Sequence, residues 1–406
     1  MIIYRIIKTY LPEVTKLIQH FAAVGIVGPR QVGKTTLVKQ LAPHLNKPVA
    51  YFDLENLDDF QKFEQNPVWF LGQYENHTVI IDEIQRMLSL IPLLRSLIDQ
   101  KREAGRFILL GSASPEFLAR STETLAGRIA YLELPPIGWG EALKAEIEQS
   151  THWFRGGFPE ALLMPDDELW FEWQANFIRT YVDSDLRLLG LTAQPSTIAR
   201  LLRILTTVQG SLLNYSDIAN ILDVSMPTVR NYIDFLEHAF IVRRLYPFHA
   251  NMGKRLVKTP KLYVRDAGNL HYLLNIPNYQ SLINHVASGH SWEGYVVEQI
   301  VTRLKKNVLA YFYRTQHGSE IDLVLTPTDV PLVSIEIKLS NNPSLSKATI
   351  QAAQDLQTPY NFILTPNGGN YFYRPDWRVC NLQELSGHLQ DLNLVKANGE
   401  NAPKSK

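Results

Sequence analysis

Cysteine is all but missing from this chain: Cys380 is the single thiol among 406 residues. One thiol closes no intramolecular disulfide and builds no cysteine zinc site, so neither can staple the fold. Excess charge of either sign is missing as well. Forty Lys and Arg balance forty Asp and Glu, which excludes a globally basic nucleic-acid binder and leaves room only for a local patch. No apolar run approaches the ~20 residues that span a bilayer. The first nine residues include Arg5 and Lys8 and lack the apolar stretch and small-residue cleavage site of a secretion signal. No internal repeat or low-complexity block occurs. Together these absences predict a soluble cytoplasmic protein with no membrane partner.

What is present is an ordinary globular composition, 45% hydrophobic, in a chain long enough for two or three domains. Leu11, Val14, Leu17 and Ile18 recur at helical spacing, so residues 1–21 open as a helical lead-in. Short apolar runs at 22–27, 49–54, 78–81 and 106–110 read as strands, with helical patterns at 36–45 and 89–100 between them. Such alternation predicts a parallel sheet covered on both faces. Residues 168–189 are helical and aromatic (Trp170, Phe171, Trp173, Phe177, Tyr181), a pattern that fits a core-facing stripe. Several helices fill 197–245, and strand-like segments return at 309–314, 321–325 and 332–338. The polar tail from about residue 395 is expected to be disordered.

Gly28-Pro29-Arg30-Gln31-Val32-Gly33-Lys34-Thr35, followed by Thr36, fits the phosphate-loop pattern, with a strand before it and a helix after it. Gly28 and Gly33 let the backbone curl so that its N–H groups point at phosphate oxygens, and the helix start adds its positive end. Lys34 is expected to reach the β and γ phosphates, and the Thr35 hydroxyl to ligate Mg²⁺. The apolar strand 79–81 delivers Asp82 to its tip, where it can hold the magnesium shell. Glu83 follows, placed to orient or deprotonate the attacking water. A solvated strand end would explain Asp-Glu alone; a complete phosphate loop nearby gives both acids work. Ser112 or Ser114, after the next strand, is a candidate γ-phosphate sensor, with a simple turn as the alternative. Arg128 is the candidate arginine finger, acting in a neighbouring subunit, with Arg120 its rival and a surface salt bridge the plainer reading of either.

The run from Gly28 to Thr36, the Asp82-Glu83-Ile84-Gln85-Arg86 segment, and Leu125-Ala126-Gly127-Arg128 with Leu132-Glu133-Leu134-Pro135-Pro136 resemble a widespread family of bacterial and archaeal AAA-type ATPases. Segments 177–185 and 261–268 match its later parts, so the likeness runs over nearly the whole chain. It implies an AAA-type ATPase, a winged helix and a restriction-endonuclease-like domain. AAA proteins commonly use Asn as γ-phosphate sensor, where this chain offers Ser.

Residues 215–233 have helix-turn-helix rhythm. Ile218, Ala219 and Leu222 pack the first helix, Val224 fills the turn, and Ser225 caps the second helix with Pro227 in its first turn. Val229, Tyr232 and Ile233 face inward, leaving Thr228, Arg230 and Asn231 outward for DNA. Residues 241–265 hold Arg243, Arg244, Lys254, Arg255, Lys258, Lys261 and Arg265 and no Asp or Glu, a patch able to bind phosphate backbone. The alternative is a packing or oligomerisation module with solvated cations.

Glu320 and Asp322 share one strand face, as do Glu336 and Lys338. Neighbouring strands would gather Asp322, Glu336 and Lys338 into a cluster that resembles the acid–acid–lysine site of restriction-endonuclease-like folds. There the acids hold Mg²⁺ and lysine assists the water. Glu293 or Glu298 would add a ligand. A salt-bridged sheet edge is the plainer reading.

The expected fold class is therefore α/β: an AAA-type P-loop NTPase over 1–190, a winged-helix module over 191–260, a restriction-endonuclease-like α/β domain over 261–390, and a tail at 391–406. ATP and Mg²⁺ are the expected cofactors, and duplex or branched DNA is the expected partner. Sites completed between subunits imply a homo-oligomer such as a hexameric ring. The expected function is a DNA-responsive ATPase. The alternatives are an ATP-regulated, Mg²⁺-dependent nuclease and a nucleotide switch that binds a protein.

Overall fold

The computed structural model describes residues 7–114, 125–248 and 257–396, and three sheets organise them. Strands β1 (Ala23–Val27), β2 (Val49–Asp53), β3 (Thr78–Asp82), β4 (Phe107–Gly111) and β5 (Ile129–Glu133) form a parallel sheet in the order β2-β3-β4-β1-β5. Every residue of β1, β3 and β4 is buried, whereas burial alternates along β2 and β5. Continuous apolar runs suit strands covered on both faces, and alternation suits the edges. This is the sheet of a P-loop NTPase, as the sequence predicts.

Helices α1 (Leu11–His20), α2 (Lys34–Leu41) and α3 (Leu90–Gln100) cover it with apolar stripes. The stripe of α3 is Leu90, Ile91, Leu94, Leu97 and Ile98, all buried. Each such side chain contributes about 1.5–3 kcal/mol of transfer free energy. Helix α2 begins at Lys34, and Pro43 brings a tight 3-10 turn at Ala42–His44 because it cannot donate the next helical bond.

Helix α4 (Asp167–Thr180) is capped by Asp166 and runs into a π-turn at Tyr181–Asp185. The aromatic stripe lies in the core. Trp170 packs on Phe154 with ring centres 4.5 Å apart, and Phe177 packs on Phe158 at 4.6 Å. After α5 (Pro195–Thr207) come α6 (Tyr215–Leu222) and α7 (Met226–His238). They accompany an antiparallel sheet of β6 (Ser211–Leu212), β7 (Val242–Leu245) and β8 (Lys261–Val264), in the order β6-β8-β7. The first segment of the expected third module thus pairs with strands of the expected second.

Helix α8 (Ser288–Val301) is buried through Trp292, Tyr295, Val296, Val297 and Ile300. The remaining strands are β9 (Leu309–Arg314), β10 (Glu320–Thr326), β11 (Val333–Ile337), β12 (Tyr360–Leu364), β13 (Tyr371–Arg374) and β14 (Trp377–Cys380). They form a sheet in the order β13-β14-β12-β11-β10-β9, parallel through β11, β12 and β14 and antiparallel on both flanks. Helices α9 (Lys347–Leu356) and α10 (Leu382–Asp391) complete this part. Burial pushes the Cys380 thiol up to about 12, so it stays protonated at neutral pH. Among the described residues no helix is long and apolar enough to cross a membrane. The expected tail lies, from residue 397 onward, outside the described residues.

Candidate active site

Parallel strands deliver their carboxyl ends to one rim, and ligands of open α/β sheets bind there. At that rim β1 runs into Gly28, β3 ends in Asp82 with Glu83 next, and β4 runs into Ser112. Because β4 lies between β1 and β3, Ser112 sits between the loop and the acids.

The loop needs its glycines. Gly28 has φ of +154°, and a Cβ there would lie 2.2 Å from the Leu134 carbonyl oxygen. Gln31 at φ +62° and Gly33 at φ +96° curl the backbone toward α2, whose first N–H groups lack intrahelical partners. Lys34 is buried. Its Nζ donates to the carbonyl oxygens of Gly28 at 2.9 Å and Pro29 at 2.8 Å, and to Ser112 Oγ at 3.2 Å. Burial lowers its pKa to about 8, against the opposing pull of Glu83 and Asp82.

Thr35 Oγ1 donates to Asp82 Oδ2 at 2.8 Å. Tyr51, from β2, donates to the same oxygen at 2.6 Å, and the Glu83 N–H donates to Asp82 Oδ1 at 2.9 Å. Burial and this bond to Asp82 push the Tyr51 phenol up, so it is a fixed donor. Sequence reasoning missed Tyr51, which it read only as part of an apolar strand; the pairing of β2 with β3 is what brings it to the acid. The Asp82 carboxylate beside the Thr35 hydroxyl is a hard-oxygen set of the kind magnesium takes, and these two residues would hold the ion.

Glu83 holds a left-handed backbone at φ +55°, unusual for a side chain with a Cβ and of a kind that gathers at functional sites. Gln85 Nε2 donates to Glu83 Oε2. Ser112 Oγ lies 3.4 and 3.5 Å from the two Glu83 oxygens, and the Ser112 N–H donates to Gln85 Oε1 at 3.2 Å. Burial raises the Glu83 pKa, with Lys34 pulling it down and Asp82 adding to the rise. A carboxylate so raised is a stronger proton acceptor. Ser114, the other sensor candidate, points elsewhere: its Oγ pairs with His238 Nδ1 at 2.9 Å, and its N–H donates to the His238 carbonyl at 2.9 Å.

Arg30 spans two carboxylates, with Nη1 on Asp185 and Nη2 on Glu55. Arg128 lies at the opposite rim, just before β5, where its Nε and Nη2 grip Asp99 at 2.6 and 2.9 Å. A five-residue strand at ~3.3 Å per residue separates it from the phosphate rim by about 16 Å. Within one chain it does not meet the loop. Arg120 lies outside the described residues.

The expected cationic patch is largely consumed by internal pairs, a correction to the sequence reading. Arg243 donates to Glu298 at 2.7 and 3.1 Å, and Arg244 pairs with Glu237 and with Asp234 at 2.7 Å. Arg265 joins Glu298 and Glu133. The absence of acids within 241–265 misled, because the carboxylates arrive from α7, α8, β5 and β10. Lys258 is exposed, and Lys254 and Arg255 lie outside the described residues. On α7, Ser225 Oγ caps the Thr228 N–H at 3.2 Å and Val229 and Ile233 are buried. Arg230 and Asn231 are exposed. Thr228 is half-buried and bonded to Ser225 through its hydroxyl, and Arg230 lies over the Tyr215 ring at 4.9 Å.

The register Leu323↔Ile335 sets Asp322 opposite Glu336, as the strand pattern predicts. The centre of the cluster, however, is an ammonium group. Lys261 Nζ lies 2.9 Å from Glu320, 3.0 Å from Glu293 and 3.4 Å from Asp322. Lys338 pairs with Glu336 at 2.6 Å, and Asp322 accepts from the Ile337 N–H at 2.9 Å. Burial, then Glu336 and Glu293, push the Asp322 carboxyl well up, toward the protonated acid. Glu298 is spent on Arg243 and Arg265. Among the described residues no group of three or more His, Cys, Asp or Glu is placed to hold a metal. Asp322 and Glu336, the expected metal pair, thus lie with the expected Lys338 on Glu336 and an unexpected second ammonium, Lys261, beside Asp322.

The sequence model of an AAA domain matches residues 20–143, and models described as domains of unknown function (DUF8612 and DUF4143) match 147–280 and 288–385. Two relatives, the uncharacterized proteins Rv2008c of Mycobacterium tuberculosis and Mb2031c of Mycobacterium bovis, are each 36% identical over 343 residues, covering 84% of this chain and 76% of theirs. Among solved structures, the Walker-type ATPase PABY2304 of Pyrococcus abyssi is similar at 14% identity and a TM-score of 0.45, over 65% of this chain and 94% of that one.

Proposed function

We propose that this chain, which belongs to the same family as the two mycobacterial proteins and carries an AAA domain, binds ATP with Mg²⁺, hydrolyses it, and couples the cycle to DNA. The observation that carries the ATPase reading is the convergence of Lys34, Thr35, Asp82, Glu83 and Ser112 on one rim of the sheet. Lys34 would exchange the Gly28 and Pro29 carbonyls for β- and γ-phosphate oxygens. Thr35 and Asp82 would hold magnesium, which screens the charge on those oxygens. Glu83 would take the proton of the attacking water, and Ser112, in reach of both Lys34 and Glu83, would register the γ-phosphate. The backbone N–H groups between Gly28 and Thr36, all but that of Pro29, which has none, would supply the phosphate cradle.

The coupling to DNA is read from α7, which supports a winged-helix assignment for this region. Its exposed Arg230 and Asn231 are available to a duplex. Its last residue, His238, holds Ser114, two residues beyond the sensor Ser112. A change at the γ-phosphate therefore has a short covalent and hydrogen-bonded route to the helix. The nuclease reading is not favoured, because Lys261 fills the acid cluster. Assembly as a homo-oligomer would bring Arg128 of one copy to its neighbour's site.

The test is ATP turnover with single-stranded, duplex and junction DNA at two salt concentrations. Stimulation by one DNA form, weakened by salt as phosphate contacts demand, supports the reading. Turnover that is flat across all DNA forms leaves the nucleotide switch for a protein partner.

A further inference from the structure

Arg30 is the one charged residue among the four positions, 29–32, that the phosphate-loop pattern leaves free. A phosphate cradle uses backbone amides, glycines, one lysine and one hydroxyl. An arginine in the middle of it needs another reason. Its guanidinium shares a narrow cleft with Glu55, Glu83, Ser112, Tyr181 and Asp185. It is part of the cleft wall, together with Glu83 and Ser112. Ser112 Oγ, in the same cleft, lies against Lys34 Nζ and both Glu83 carboxylate oxygens, the groups expected to flank the γ-phosphate.

Its present partners belong to neither the loop nor the acid-bearing strand. Asp185 closes the π-turn after α4, and Glu55 follows β2. Glu55 also has a second cation, Arg86, at 3.4 Å. Burial pushes the Asp185 carboxyl up even beside Arg30, so this carboxylate is a costly counter-ion to keep charged. A γ-phosphate carries more negative charge than either carboxylate and offers three oxygens to a fork that donates five N–H bonds.

We propose that Arg30 is a catalytic arginine acting in cis, held on Asp185 and Glu55 without nucleotide and transferred to the γ-phosphate when ATP is bound. This rests on the ATPase reading above. In the step, water attacks the γ-phosphorus as the bond from that phosphorus to the β,γ-bridging oxygen breaks. The electron pair leaves with ADP, Glu83 accepts the proton, and the guanidinium neutralises charge growing on the equatorial oxygens. Release of Asp185 frees the π-turn each time the site fills.

The experiment uses the full chain and measures steady-state ATP turnover alongside the Kd of a fluorescent ATP analogue. Arg30→Ala is expected to lower kcat by at least ~100-fold while changing the nucleotide Kd by less than about threefold. Arg30→Lys, a point charge without the fork, is expected to restore little of the loss. Asp185→Asn with Glu55→Gln, which frees the arginine, is expected to raise kcat severalfold. If Arg30→Ala alone does not fold, Arg30→Ala with Asp185→Asn leaves no buried carboxylate unpaired, because Glu55 keeps Arg86, and it carries the same expectation. A kcat within threefold of the parent in the folded arginine variants overturns the proposal while the ATPase reading stands. A parent that binds ATP and never turns it over overturns both.

Discussion

Thr35 and Asp82 touch past the end of β4: the hydroxyl donates to Oδ2 at 2.8 Å although β1 and β3 are not neighbours. The strand between them, β4, keeps a small residue at its end, and Ser112 leaves the space open. Magnesium would enter at this contact. Thr35→Ala is expected to raise the Mg²⁺ concentration for half-maximal turnover by about tenfold, with ATP affinity in EDTA unchanged. Magnesium titrations of parent and variant check it.

Lys34 gives the nucleotide site a pH signature. Burial lowers its pKa to about 8, so the free protein carries the ammonium below that pH and loses it above. Bound phosphate favours the charged form and raises the pKa in the complex. ATP binding above pH 8 must then take up a proton, and affinity is expected to fall by up to ~10-fold per pH unit between about 8 and the pKa of the complex. Nucleotide affinity from pH 6.5 to 9.5 reads this directly; Lys34→Ala is expected to show a weak, flat profile.

Arg244 is a structural cation. Removing it leaves Glu237 and Asp234 without their partner. Arg244→Ala is expected to lower stability by about 1–3 kcal/mol without altering the salt slope of DNA binding. Arg230→Ala is expected to weaken DNA binding at unchanged stability. Urea unfolding and binding isotherms on the same two variants separate the roles.

Lys261 holds the acid cluster together. Lys261→Met is expected to cost ~3–5 kcal/mol at pH 7, because Glu293 and Glu320 are left as like charges without their cation, beside the Asp322 carboxyl. Their folded pKa values then rise above the unfolded ones, so the folded variant binds more protons and gains stability as pH falls toward 5. A loss that is equal at pH 5 and pH 7 would contradict this. Incubation of the parent with DNA and Mg²⁺ is expected to give no cleavage.

Ser114→Ala is expected to keep basal turnover and lose DNA stimulation, since it removes the side-chain bond to His238 and leaves Ser112 in place. Equal stimulation in parent and variant would break the proposed link between sensor strand and helix.

The sheet was legible because β1, β3 and β4 are written as short apolar runs bounded by turn residues, a pattern that suits strands buried on both faces. The phosphate loop and Asp82-Glu83 were legible because their chemistry is local in sequence. What failed was long-range pairing. Arg243 and Arg244 look free in a segment without acids, yet Glu298 and Glu237 reach them from helices. Lys261 looks like a surface cation and is buried among three carboxylates. Tyr51 looks like a strand residue and is a partner of Asp82. In each case the partner is set by the packing of elements distant in the chain, which periodicity does not encode.

The most direct measurement is single-turnover hydrolysis of ATP with Mg²⁺ by the parent and by Glu83→Gln, with nucleotide affinity taken on the same samples. Glu83→Gln is expected to bind ATP as tightly as the parent and to cleave it ~10²–10⁴-fold more slowly. Equal cleavage rates in the two proteins would contradict it.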